Sequence, residues 1–95
     1  MRSDLPLGTL AAQVVHASGE SVEGKVPSGT HAVVLSVPTE AKLLALERKL
    51  IEAQIPHQAI REPDDPWNNQ LMSIGICPTY KHLVKKYIGN LPLLR

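Results

Sequence analysis

From Leu10 to Ser18 the apolar residues recur at helical spacing, with Leu10, Val14 and Ala17 on one line and Ala11 and Val15 on the next. The spacing predicts a helix that buries those two lines. Thr9, Gln13, His16 and Glu20 follow at steps of four, three and four, which places them in one polar stripe expected to face away from the core. Residues 18–30, SGESVEGKVPSGT, keep no period and are rich in Gly, Ser and Pro, so they read as loop. The run HAVVLSV, His31 to Val37, is β-branched and almost continuously apolar, the pattern of a central strand covered on both faces.

Thr39 is placed to cap a second helix, and Glu40 complements the positive end of its dipole. Within that helix Leu43, Leu46 and Leu50 share one line, and Leu44 and Ile51 the next, while Lys42, Lys49 and Glu52 fall outside them. Pro56 ends it. HQAIR, His57 to Arg61, and LMSIGIC, Leu71 to Cys77, read as two strands, and the Pro- and Asp-rich turn between them favours an antiparallel hairpin. A last helix begins near Thr79 as N-cap, carries Tyr80, Leu83, Val84, Tyr87 and Ile88 as an apolar stripe, and closes at Gly89. The apolar tail LPLLR is expected to pack on this core or on a second subunit. The order helix, strand, helix, strand, strand, helix predicts an α/β fold, with a small mixed sheet of three to four strands layered with helices.

Ninety-five residues suit one small domain over 1–95. No apolar run approaches the roughly 18–20 residues that span a bilayer, and neither a secretion-signal pattern nor a second cysteine is present, so a cytoplasmic setting away from membranes is expected. With no Phe, two Tyr and one Trp, the chain lacks the aromatic platforms on which single-stranded nucleic acid stacks. The net charge of +1 hides an asymmetry. Residues 1–70 sum to −3, whereas residues 71–95 carry Lys81, Lys85, Lys86 and Arg95 without an acid. Such clustering, more than the total, attracts a polyanion.

Candidate chemistry sits in two places. One is the polar stripe of the first helix, where Gln13 and His16 either serve a site or are simply solvated. The other is Glu62 to Gln70, where Glu62 and Asp64 are flanked by Asn68 and Asn69 and where Asp65 reads as a solvated turn residue. Lys81 and Lys85 could track a phosphate backbone or merely complement the helix C-terminus. Trp67, an aromatic in a polar turn, suggests a ligand or interface contact. His16, His31, His57 and His82 lack the tight spacings of a metal signature, Cys77 reads as a buried strand residue, and no phosphate-binding glycine loop is present, so neither metal nor cofactor is expected.

Three segments in this order resemble the type 2 peptidyl-tRNA hydrolases: Arg2-Ser3-Asp4-Leu5 followed by Gly8-Thr9-Leu10-Ala11-Ala12-Gln13-Val14-Val15-His16-Ala17, then Ile60-Arg61-Glu62, then Gly75-Ile76-Cys77-Pro78. The resemblance covers nearly the whole chain and implies metal-independent hydrolysis of the ester in peptidyl- or aminoacyl-tRNA, with tRNA as partner and a homodimer as the working form. It implies that the start of the first helix faces the loop after Arg61. Gln13, His16, Glu62 and Asp64 would then be the reacting set, and Gly8, Thr9, Asn68, Asn69, Lys81 and Lys85 would hold substrate. Thr9 stands where the family has a lysine, and Glu62-Pro63 where it has an Asp followed by Ala-Gly. The alternative that these departures leave open is a non-catalytic member binding tRNA, a nucleotide or a protein, or a hydrolase of a smaller ester. The match starts near the end of the family's first strand, so an unpaired position in the sheet is expected.

Overall fold

The computed structural model describes residues 1–94, and Arg95, counted above with the basic C-terminal end, lies outside them. The elements run α1 (Leu7–Glu20), α2 (Glu40–Glu52), β1 (His57–Glu62), β2 (Gln70–Ile76) and α3 (Lys81–Ile88). Helix α1 follows Pro6, whose side chain cannot cap it, whereas Thr39 caps α2 by accepting from the Lys42 amide at 3.3 Å. For α3 the cap position falls to Tyr80 rather than Thr79, and no side chain bonds there. Only Val84 of its apolar stripe is buried. Leu83 and Tyr80 are exposed, the latter with its ring 5.8 Å from that of His82. Gly89 does end the helix, through its N–H to the Lys85 carbonyl.

The hairpin forms as the turn chemistry predicts. Strands β1 and β2 pair antiparallel from His57 opposite Ile76 to Glu62 opposite Gln70, and they make up the whole regular sheet of the described residues. The expected count of three to four strands is therefore corrected to two. Ile60 pairs with Ser73 but Arg61 with Leu71, so Met72 is an extra residue in β2. A bulge of this kind re-aims side chains. Leu71 joins Val37 and Leu43 in the core, with Leu46, Ala59, Ile74 and Leu91 packed around them, while Ser73 reaches α1 instead. Helices α1 and α2 thus cover opposite faces of the hairpin.

Residues 31–37 do not form the central strand that their composition suggests. His31 to Val34 are exposed, and the segment meets other backbone only at its far end. There the Val37 amide donates to Met1 and the Val37 carbonyl accepts from Ser3, each at 2.9 Å, a parallel bridge between Arg2 and Val37. On the other side Ser36 donates to Pro92 and Leu94 donates to Val34, an antiparallel bridge between Leu35 and Leu93. β-branched composition makes a segment fit for a strand, but a central strand also needs hydrogen-bonded partners on both edges along its length. The apolar tail is accordingly docked on the chain's own residues 34–36, with Leu91 against the core and Leu93 still exposed.

Of the two apolar lines predicted for α2, Leu43 and Leu50 are fully buried, whereas Leu44 and Ile51 are exposed. The same holds in α1: Ala17 is buried and Leu10 and Val14 half-buried, but Val15 is 69% exposed. A helix resting on one hairpin face buries a single stripe.

Candidate functional site

The inward stripe of α1 consists of Leu10, Gln13, Val14 and Ala17 and runs on to Ser21 just beyond the helix. Gln13 is therefore inside, at 3% exposure, and the expectation that it faces away from the core is corrected. At about 100° per residue position 13 lies roughly 60° from position 10 and roughly 40° from position 17 on the same side, whereas Ala11 and Val15 turn to the other. What selects this face is Gly75 of β2. Any side chain at this position would collide with the Ala17 carbonyl oxygen, so the missing side chain lets α1 rest on the strand backbone.

The burial of Gln13 is incompletely compensated. Ser73, 1% exposed, donates its hydroxyl to the main-chain carbonyl of Gln13 at 3.2 Å, but the side-chain Oε1 of Gln13 has no hydrogen-bond partner. An unsatisfied buried amide oxygen costs about 1–3 kcal/mol, so it marks a place where a donor would bind favourably. His16 lies 60° further round the helix, exposed, where it lines an open depression with Val15, Gly19 and Glu20. At the start of α1 the first helical bond is Leu10 N–H to Pro6, which leaves the N–H groups of Leu7, Gly8 and Thr9 pointing along the helix axis. Gly8 is exposed and Thr9 half-exposed.

The loop after β1 is built by its own main chain. Arg61 turns toward α2, where its guanidinium meets Glu47 through two bonds of 3.0 and 2.9 Å, and this neighbour raises its pKa. Strand alternation then directs the half-buried Glu62 to the side that α1 covers. Glu62 Oε1 accepts from the Asp64 amide at 3.2 Å, and its carbonyl accepts from the Asn69 amide at 2.7 Å. Asp64, Asp65, Asn68 and Asn69 are exposed. Asn68 and Asn69 adopt φ of 48° and 67°, a left-handed conformation that asparagine tolerates better than most residues.

Arg2 ties this loop to the start of the chain, a role that the sequence reading misses. Its side chain is buried, with Nε and Nη2 each 2.9 Å from an oxygen of Asp4, and Nη1 2.8 Å from Gln70 Oε1 and 3.3 Å from the Leu71 carbonyl. The guanidinium stands 5.8 Å from the centre of the Trp67 ring, within cation–π range. Trp67 is thus half-buried against Arg2 rather than a free aromatic surface. The paired guanidinium holds the Asp4 carboxyl below the usual carboxylate range.

The structure brings Gln13, Ser73 and the start of α1 to one face of the hairpin, with Glu62 at the end of β1. Lys81 and Lys85 do not join them. They are exposed on α3, which packs on α2. Cys77 is half-buried one residue past β2, not within the strand. His57 donates from Nδ1 to the Ile55 carbonyl at 2.7 Å. Among the described residues no three His, Cys, Asp or Glu side chains converge on a metal position, and no helix is long and apolar enough to cross a membrane.

None of the curated proteins compared matches the chain. A family model described as peptidyl-tRNA hydrolase PTH2 matches residues 1–94, the stretch that holds all three segments noted in the sequence. The chain belongs to the peptidyl-tRNA hydrolase PTH2 family.

Proposed function

We propose that the protein hydrolyses the ester joining a peptidyl or aminoacyl group to the terminal ribose of tRNA, at the surface formed by the start of α1 and the loop after β1. The observation that carries the reading is the orphaned Oε1 of Gln13. A buried amide without a partner destabilises the fold, and a substrate or water donor held beside it would remove that cost.

In the reaction a water oxygen attacks the ester carbonyl carbon while a carboxylate takes up its proton. Glu62 is half-buried on the α1 side and is the first acceptor, with the exposed Asp64 and His16 as further acceptors. The N–H groups at the start of α1, around Gly8 and Thr9, are suited to the oxyanion of the tetrahedral intermediate. Its collapse breaks the bond to the ribose oxygen, which leaves with the proton returned from the carboxylate. Gln13 orients the water. Asn68 and Asn69 offer amides to the acyl chain or the terminal nucleotide, and Lys81 and Lys85 meet phosphates further along the tRNA. No metal or cofactor enters the proposed chemistry.

Thr9 favours a second reading. Where the resemblance places a lysine this chain has a neutral hydroxyl, which fits a member that binds tRNA without turning it over. Release of labelled peptide from peptidyl-tRNA separates the two. Turnover by the wild type that falls at least tenfold in Glu62→Gln supports the hydrolase. Salt-sensitive binding without product from folded protein overturns it in favour of the binder.

A further inference from the structure

The bulge in β2 lies between the two halves of the candidate site. On one side of it residues 73–76 pair with 57–60, and on the other Leu71 pairs with Arg61 and Gln70 with Glu62. Ser73, which holds the Gln13 turn of α1, belongs to the first stretch, and the partner of Glu62 to the second. How Gln13 and Glu62 stand to one another is therefore decided at the bulge.

In a regular strand Leu71 and Ser73, two positions apart, would share a face. Here Leu71 packs with Val37 and Leu43 on the α2 side, whereas the Ser73 hydroxyl reaches α1 on the other. The extra residue, Met72, makes that change of face. Without it either Leu71 leaves the core or Ser73 loses Gln13.

A bulge disrupts the ladder locally, so bonds from outside the ladder decide where it sits. Arg2 supplies two long ones, from Nη1 to the Leu71 carbonyl at 3.3 Å and from its amide to the Met72 carbonyl at 3.5 Å. The short one comes from α2, where Glu40 Oε2 accepts from the Leu71 amide at 2.8 Å, a bond strengthened by the charge of the acceptor. Glu40 is the first residue of α2, just after the Thr39 cap, and the helix dipole favours a carboxylate there. Leu71 is fully buried, so its amide has no water to turn to when the carboxylate is removed.

We infer that Glu40 is a positioning residue for the reaction proposed above: by fixing the Leu71 amide it holds the bulge, and through the bulge the placement of Gln13 relative to Glu62. The effect on turnover rests on the hydrolase reading, whereas the placement rests on the hydrogen bonds alone. Glu40 works from the α2 side of the hairpin, away from α1. What it supplies is an acceptor at one point. Glutamine keeps that acceptor, alanine removes it, and aspartate, one methylene shorter, withdraws it.

The test combines NMR on the full chain with release of labelled peptide from peptidyl-tRNA, in Glu40→Ala, Glu40→Gln and Thr39→Ala. Thr39→Ala removes the cap at the same end of α2 and leaves the bulge bonds in place, so it reports what loss of helix stability alone does. In Glu40→Ala the Leu71 amide should exchange with solvent at least tenfold faster and the side-chain amide signals of Gln13 should shift. In the same variant kcat should fall at least tenfold, with KM within about twofold of wild type. Glu40→Gln should restore these quantities to near wild type, and Thr39→Ala should leave kcat within about twofold. If Glu40→Ala fails to fold, Glu40→Asp takes its place with the same expected result. Unmoved Leu71 and Gln13 signals, an unchanged kcat despite shifted signals, an equal fall in Thr39→Ala, or a glutamine that restores nothing overturns the inference. A wild type without turnover sinks the hydrolase reading alone, and the placement then stands or falls on the NMR signals.

Discussion

Ser73 and Gln13, sixty residues apart in sequence and both buried, are joined by a hydroxyl-to-carbonyl bond of 3.2 Å. The bond fixes the turn of α1 that carries the orphaned amide. Ser73→Ala removes the donor but leaves the carbonyl its intrahelical bond to Ala17, so we expect a loss of about 1 kcal/mol in urea unfolding. A loss within error would show that the hydroxyl is not what holds the helix.

Gly75→Ala is expected to be far more damaging than its one methyl group suggests. The Ala17 carbonyl and the Ser21 Cβ occupy the place of the new atom, and both belong to backbone or a buried neighbour that cannot swing aside. We expect at least 3 kcal/mol of destabilisation, or a chain that fails to fold, whereas Gly8→Ala, with open space at the new Cβ in the first turn of α1, should be neutral or stabilising by up to about 1 kcal/mol. Thermal unfolding of the two variants gives the comparison.

Gln13→Leu should separate stability from activity. Leucine has nearly the same volume and no acceptor to leave unpaired, so folded stability should stay level or rise by about 1 kcal/mol. Turnover of peptidyl-tRNA should drop by at least tenfold. Loss of both together would mean that the amide nitrogen of Gln13 serves the fold.

Asp4 predicts the acid limb of the stability curve. Its carboxyl is held below the usual range mainly by hydrogen bonding to Arg2, with charge attraction adding to it. The unfolded chain therefore binds the proton first as pH falls. The ion pair contributes its full stabilisation above roughly pH 4 and loses it as the pH drops through the lowered folded value. Asp4→Asn should flatten that part of the curve and lower stability at pH 7, because a buried guanidinium then lacks its counter-charge. Unfolding midpoints between pH 2 and pH 7 test this.

Thr9→Lys is expected to increase turnover several-fold by placing a cation near the developing oxyanion. It should cost about 0.5 kcal/mol in stability, since a positive charge opposes the dipole at a helix N-terminus. A variant as folded as wild type with unchanged kcat/KM would remove charge at this position from the mechanism.

The parts of the fold legible in the sequence are those decided within a few residues. Thr39 caps α2 because its hydroxyl sits three residues from the Lys42 amide, and the hairpin follows from two apolar runs joined by a proline-rich turn. Residues 31–37 look like a strand from the same kind of signal. Their state is set by partners elsewhere, and those reach only positions 34–37. Gln13 is misplaced for a similar reason. Local periodicity gives α1 an apolar side, but the side that docks is chosen by Gly75 and Ser73, about sixty residues later in the chain. At the candidate site Glu62 and Asp64 are visible as a polar loop, whereas Arg2 reads as an ordinary N-terminal charge. Its contacts with Gln70 and Trp67 exist only once the start of the chain meets the loop between β1 and β2.

The position of Met1 also bears on how the protein can be handled. Arg2 bonds to Met72 while Met1 and Ser3 bond to Val37, so a label attached at residues 1–3 would disturb both neighbours of that segment at once. Spectroscopic labels for solution work therefore belong at exposed positions such as Lys49 of α2 rather than on residues 1–3.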